Sequence, residues 1–249
     1  MNYLELALIG GIASFVATGL GSLSFIFFQQ TSLAHQLKTS IDFVLGVMLS
    51  AAAFSLIGPG IIQSNFHDQK SFMILASIGL GMFFVLLTQK LISTYQKRSQ
   101  SQNNDISKYL LVLTLLIHNL PEGMGSGASV AGMSVQSALP IQIALFVQNI
   151  AEGFLIVLCL QSLGYSILKS VVGGLLSGVV EFSGATISGF FLQFSNTMAP
   201  FFLAAAGGAM VMSVFIEFKE AAIEGRKLSY QKMIMGLLII PILNIGLGI

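Results

Sequence analysis

Two polar hexapeptides interrupt long apolar stretches of the chain: His118-Asn119-Leu120-Pro121-Glu122-Gly123 and, thirty residues later, Gln148-Asn149-Ile150-Ala151-Glu152-Gly153. Each places an imidazole or amide side chain four residues ahead of a glutamate, so the two share one face of a helix. An asparagine follows directly, about 100° round the helix. A third glutamate, Glu181, lies in another apolar run. Together they offer one imidazole nitrogen (His118), three carboxylates (Glu122, Glu152, Glu181) and three amide oxygens (Asn119, Gln148, Asn149). One nitrogen among many oxygens, without a thiolate, suits divalent first-row metals and selects weakly among them. A structural zinc site would be closed and rich in Cys and His. A set softened by amides suits a protein that must release what it binds. Two facing helices of this pattern could present two adjacent metal positions bridged by glutamates, and three carboxylates would nearly balance two divalent ions. A lone His or Asn in a membrane helix is often only an interhelical hydrogen bond. The repetition, with the third carboxylate, favours a cation site.

The elements that hold these groups lie in lipid. Of 249 residues, 55% are hydrophobic and 8% charged, against about 25% charged in soluble domains. Such a chain cannot cover a water-facing surface, and we read it as an all-α polytopic membrane protein. A spanning helix needs about 20 apolar residues. Eight segments qualify: 4–28, 41–62, 71–92, 109–131, 139–160, 167–192, 200–218 and 232–249. They are expected to form a single transmembrane domain over residues 1–249, with no nucleic-acid partner. No signal peptide is expected, because Met1-Asn2-Tyr3-Leu4-Glu5 lacks a basic region.

Depth sharpens the chemistry. Seven of the ten acidic residues fall at helix ends or in loops: Glu5, Asp42, Asp68, Asp105, Glu217, Glu220 and Glu224. Glu122, Glu152 and Glu181 fall deep within helices, where an isolated charge costs about 2.5–3.5 kcal/mol on insertion scales. No Lys or Arg lies at matching depth. Either these carboxylates are protonated or something cationic sits among them.

Basic residues set the expected orientation. Lys38, Lys90, Lys97, Arg98, Lys108, Lys169, Lys219, Arg226, Lys227 and Lys232 fall on one side of an eight-helix map, and Lys70 alone on the other. The positive-inside rule then places both termini outside the cytoplasm. Pro140 and Pro200 are expected in the first turns of helices 5 and 7, where a missing N–H matters little. Pro121 should kink helix 4 by removing the bond to the Ile117 carbonyl. Helix 1 (Gly10, Ala13, Ser14, Ala17, Thr18, Gly21, Ser22) and helix 6 (Gly173, Gly174, Ser177, Gly178, Gly184, Ala185, Ser188) carry small-residue faces, which suit close static packing or a sliding surface. Cys159, seven residues beyond Glu152, reads as a packing residue. The cluster Glu217, Glu220, Glu224 reads as a solvated helix end, with a metal exit as the alternative.

At His118-Asn119-Leu120-Pro121-Glu122-Gly123 the sequence resembles the ZIP (Zrt-/Irt-like) family of divalent metal transporters, whose fourth helix carries His-Asn-x-Pro-Glu-Gly. The resemblance extends through Gln148-Asn149-Ile150-Ala151-Glu152-Gly153, Glu181-Phe182-Ser183-Gly184-Ala185 and Ala17-Thr18-Gly19-Leu20-Gly21. It implies His118, Glu122, Gln148 and Glu152 as a primary metal site. It also implies Asn119, Asn149 and Glu181, with the shared glutamates, as the second site of a binuclear centre. A 3+2+3 helix arrangement with inverted repeats, helices 1, 4, 5 and 6 sliding against 2, 3, 7 and 8, and a homodimer are implied as well. Gln148 stands where many members have His and resembles a bacterial subgroup with glutamine there. Ala151 and Phe182 replace prolines common in the family, and the loop between helices 3 and 4 lacks histidines. These departures leave the ligand set intact and bear on metal preference.

The resulting expectation is a non-enzymatic carrier in an inner or plasma membrane. It would bring divalent metal, zinc foremost and iron, manganese or cadmium as further candidates, into the cytoplasm by alternating access around helices 4 and 5. A metalloenzyme would need a motif such as His-Glu-x-x-His, which the chain lacks. A sodium-coupled or organic-solute carrier, which would not need His118, and a membrane metal receptor that transports nothing remain as alternatives.

Overall fold

The first helix begins where Asn2 and Glu5 close a reciprocal cap. Glu5 N–H donates to Asn2 Oδ1 at 2.8 Å, and Asn2 N–H donates to Glu5 Oε2 at 3.1 Å. In the computed structural model, residues 1–28, 33–64, 69–99, 116–223 and 225–246 are described, and their regular elements are all helical. Eight helices organise them. Helix α1 (Tyr3–Ser24) runs on as a 3-10 turn, Phe25–Phe28. Helix α2 (Leu33–Ala51) continues through a π-helical stretch, Ala52–Ile57, into Gly58–Gln63. Then come α3 (Gln69–Ser99), α4 (Asn119–Gly132), α5 (Val135–Ser162), α6 (Ile167–Leu192), α7 (Ala199–Ile223) and α8 (Tyr230–Gly246).

Six spans are long and apolar enough to cross a membrane: Tyr3–Phe27, Ile41–Gln63, Ser71–Tyr95, Val135–Ser162, Ile167–Leu192 and Asn196–Ile223. The chain is a multi-pass membrane protein. The other two expected spans are only partly described, because residues 109–115 and 247–249 lie outside the described set. Large apolar side chains such as Phe72, Leu80, Leu91, Leu168 and Ile245 point outward, as a lipid-facing surface requires.

Several boundaries differ from the sequence expectation. Helix α3 continues to Ser99 and takes in the start of the polar segment after residue 92; residues 100–108 lie outside the described set. Helix α5 starts at Val135, four residues early, because Ser134 caps it by accepting the Ser137 N–H. Pro140 therefore sits in the second turn, inside the helix, and not in the first. Pro200 is the second residue of α7, within its first turn.

The helices form two communities. Helices α1, α4, α5 and α6 pack on one another, α2 pairs with α8, and α3 pairs with α7. Helices α7 and α2 join these groups by packing on α4 and α5. Between them lies an apolar core that includes Leu45, Leu56, Ile141, Leu145, Met210 and Ile240. The small-residue faces of α1 and α6 are turned toward each other and toward α4 and α5, inside the first group. Within that group they allow close helix approach. Several of its glycines lie against main chain, among them Gly123 on Glu181, Gly153 on Thr18, Gly184 on Leu120, and Gly21 on Ile150.

One tie was not foreseen. Gly225 (φ 67°) follows α7 and closes a turn in which Arg226 N–H donates to the Ala221 carbonyl at 2.9 Å. The turn brings Arg226 Nη1 to 2.7 Å from Asp42 Oδ1, while Ser229 N–H donates to Asp42 Oδ2 at 2.7 Å. Asp42, expected at a helix end, is 1% exposed. Asp42→Ala strands a half-buried guanidinium and a backbone N–H. It should destabilise the fold by about 2 kcal/mol, with Asp42→Asn losing less, as read from the unfolding midpoint of purified protein. Equal midpoints for all three proteins would show that this tie contributes nothing.

Candidate metal centre

The fourth helix is interrupted where its chemistry begins. Leu116 and Ile117 are helical, His118 is a turn residue with φ −70° and ψ −18°, and α4 resumes at Asn119. Pro121 has no N–H to offer the Ile117 carbonyl, which accounts for a break at this position. The interruption sets His118 just ahead of the helix and leaves Asn119 and Glu122 in its first turn.

On α5, Gln148 and Glu152 are one turn apart. The Gln148 Nε2 group donates to Glu152 Oε2 and, at 3.1 Å, to Glu122 Oε2 on α4. His118 Nε2 lies 3.2 Å from Glu152 Oε1. These contacts join His118, Glu152, Gln148 and Glu122 into one network across α4 and α5. A second network gathers on α6. Glu181 Oε1 accepts from Thr18 Oγ1 at 2.6 Å and from Asn119 Nδ2 at 3.2 Å, and Glu181 Oε2 accepts from Asn149 Nδ2 at 2.6 Å. Asn119 Nδ2 also donates to Ser177 Oγ. All seven residues singled out in the sequence therefore meet in two adjoining networks inside the four-helix group. Six are buried and His118 is half-buried.

The donor and acceptor balance of these networks is the informative feature. No Lys or Arg among the described residues bonds to Glu122, Glu152 or Glu181, whose acceptors are served by amides, a hydroxyl and the His118 ring. Each amide has committed its nitrogen to a carboxylate, which leaves its own oxygen over. Asn119 Oδ1, Glu122 Oε1, Gln148 Oε1 and Asn149 Oδ1 are buried without a hydrogen-bond partner, four of the five such side-chain atoms among the described residues. Native structures rarely leave buried polar atoms unpaired without a reason. A cation satisfies several oxygens at once and brings no acceptor of its own.

Carboxylates and imidazole do not suffice alone. Among the described residues no group of three or more His, Cys, Asp or Glu side chains is placed to hold a metal ion. The amide oxygens must complete any ligand set. Gln148 now has Nε2 between two carboxylates and would have to turn its carboxamide to offer Oε1 there.

Two members of the networks were missed. Ser177 lies four residues before Glu181, the same spacing as Gln148 and Glu152, so the signal is present in the sequence, masked by its place on the small-residue face. Thr18 lies on the small face of α1, and only the approach of α1 to α6 reveals its role.

A cavity of about 120 Å³ runs from His118 and Glu152 past Cys159 to Glu217 and Glu220. Gln89 Nε2 donates to Glu220 Oε1 at 3.0 Å. Glu217 and Glu220 therefore line the same cavity as His118 and Glu152, with Cys159 on its wall; Glu224 lies outside the described residues. On the other side a cavity of about 460 Å³ is bounded by Gln63, Met133, Ser137, Ile141 and Asn244. Along α5, Ile141 faces that cavity, Leu145 is fully buried one turn further, and Gln148 follows. An apolar layer thus separates this cavity from the networks.

Gln148→Leu removes the one donor shared by Glu122 and Glu152. It should lower stability by about 1–3 kcal/mol, measured as the unfolding midpoint in detergent, while Gln148→Asn should recover part of the loss. An unchanged midpoint in Gln148→Leu would show that the shared donor is not needed.

No family model matches the chain, but individual proteins do. It is 30% identical over 225 residues to the zinc transporter ZIPB of Bordetella bronchiseptica, covering 84% of this chain and 70% of that protein. It is 27% identical over 212 residues to the zinc transporter GufA of Myxococcus xanthus, covering 82% and 83% of the two. With the human zinc transporter ZIP11 it shares 34% identity over 147 residues, 56% of this chain and 43% of that protein. With the motif and the helical membrane fold already in hand, the length and identity of the first match show that the chain belongs to the ZIP family of zinc transporters.

Proposed function

We propose that the protein is a carrier that binds divalent metal between α4, α5 and α6 and moves it into the cytoplasm. Zinc is the foremost substrate, as the names of its relatives suggest, and iron(II), manganese and cadmium fit the same oxygen-rich donors. The observation that carries this reading is the set of four unpartnered buried oxygens, all on residues of the two motifs. His118, Glu122, Gln148 and Glu152 form the primary position. Asn119, Asn149 and Glu181 belong to a second.

Residues 1–249 act as a single transporter domain. The mechanism is alternating access: the cavity lined by Glu217 and Glu220 serves release, and the apolar layer of Ile141 and Leu145 closes the opposite face. Both termini face away from the cytoplasm, the eight helices follow a 3+2+3 arrangement with inverted repeats, and two copies associate as a homodimer. The community of α1, α4, α5 and α6 supports a moving unit that shifts against the remaining helices.

Zinc entry into proteoliposomes loaded with a metal-sensitive dye tests the carrier. Wild-type protein should accumulate zinc, and Glu122→Ala should reduce entry by about 100-fold or to background. Ligand protonation competes with metal, so zinc affinity should weaken as pH falls from 7 to 5.5. Stoichiometric binding without entry would instead identify a receptor, and entry indifferent to His118→Ala but dependent on sodium would identify a different carrier.

Orientation has its own test. In a Cys159→Ser background, a membrane-impermeant thiol reagent added outside intact cells should label Lys70→Cys and spare Lys169→Cys. The reverse pattern would invert the assigned direction.

A further inference from the structure

We infer that Thr18 is a working part of the metal centre: it is the positioning residue for Glu181, which orients Asn119 and Asn149 so that their oxygens form the second metal position. This inference rests on the carrier reading above and specifies how its second position is built.

The first observation is where the Thr18 proton goes. A threonine within a helix commonly bonds a carbonyl of its own preceding turn, as Thr88 does to Phe84, Thr94 to Lys90 and Thr186 to Phe182. Thr18 does not. Its Oγ1 crosses to another helix and donates to Glu181 Oε1 at 2.6 Å, with both residues fully buried. The β-branched side chain has few rotamers to choose from, and its backbone is fixed as well. Gly153 lies against the Thr18 main chain, and Ser22 Oγ donates to the Thr18 carbonyl at 2.8 Å. The hydroxyl is therefore presented from a rigid support.

The second observation is what Glu181 does with its two oxygens. Both already accept from protein donors, Oε1 from Thr18 and Asn119 and Oε2 from Asn149. Glu122, by contrast, has an oxygen without a partner. Glu181 gathers the two asparagine nitrogens on one carboxylate, and each asparagine is left with a buried, unpartnered Oδ1. The carboxylate thus fixes which end of each amide is offered, and Thr18 in turn supports the carboxylate. Removing Thr18 Oγ1 leaves Glu181 Oε1 with Asn119 alone and frees the carboxylate to turn. Partners of this supporting kind typically change metal affinity by about 10–100-fold.

Equilibrium zinc titration of purified protein, by calorimetry with a competing chelator, tests the inference. Wild type should bind two zinc ions per chain. Thr18→Val and Thr18→Ala should both weaken the second binding event by about 10–100-fold and leave the first within about 2-fold, and Thr18→Ser, which keeps the hydroxyl, should restore the second to within about 3-fold. The unmoved first event reports that the variants are folded, and Thr18→Ala covers the case in which valine does not fit. Unweakened second binding in a folded Thr18→Val or Thr18→Ala, equal losses in Thr18→Ser and Thr18→Ala, or a single zinc in the wild type would overturn the assignment. Absence of any zinc binding by the wild type would overturn the carrier reading itself.

Discussion

Three carboxylates buried in a protein that lives in lipid, without a lysine or arginine bonded to them among the described residues, are the constraint on which the rest depends. In hydrocarbon a polar group has only the protein for a partner. Glu122, Glu152 and Glu181 find theirs in three amides, one hydroxyl and one imidazole, drawn from α1, α5 and α4 with the turn before it, while α6 brings Glu181 itself. Each of those helices must bring a polar residue to the centre, so these four pack together and their facing surfaces are built of Gly, Ala and Ser. The interruption at His118 belongs to the same requirement, since it brings the imidazole beside Glu152.

The centre and its surroundings differ in direction. Toward Glu217 and Glu220 the polar networks meet a cavity; toward Gln63 and Asn244 they meet aliphatic side chains. That asymmetry follows from the order of residues along α5. Ile141, Leu145, Gln148, Glu152 and Cys159 succeed one another at near-helical spacing, so one face of one helix passes from apolar residues through the polar centre to the cavity wall.

What could be read in the sequence was local. Gln148 and Glu152 stand one helical turn apart, as do His118 and Glu122 at the start of α4, so their proximity follows from helix geometry, and the limits of α6 follow from its long, mostly apolar run. The rest depended on contacts between distant segments. Asp42 and Arg226 are 184 residues apart, and nothing near either one announces a pair that a glycine turn after α7 creates. Thr18 and Glu181 are 163 residues apart, and a threonine among small residues reads as packing until α6 lies against it. The misplaced start of α5 has a different origin. Ser134 supplies a cap strong enough to begin the helix ahead of Pro140, and a proline in the second turn can be tolerated within a well-packed helix.

The glycines that end the two motifs give the centre its dimensions. Gly123 follows Glu122 and rests on the main chain of Glu181; Gly153 follows Glu152 and rests on that of Thr18. An interface made of long side chains has slack, because rotamers can yield when a helix tilts. Main chain against main chain has almost none. The spacing between the polar groups is thus gauged by covalent backbone geometry, as a machinist's shim sets a clearance. Lipids of different thickness can strain the outer helices before that clearance changes.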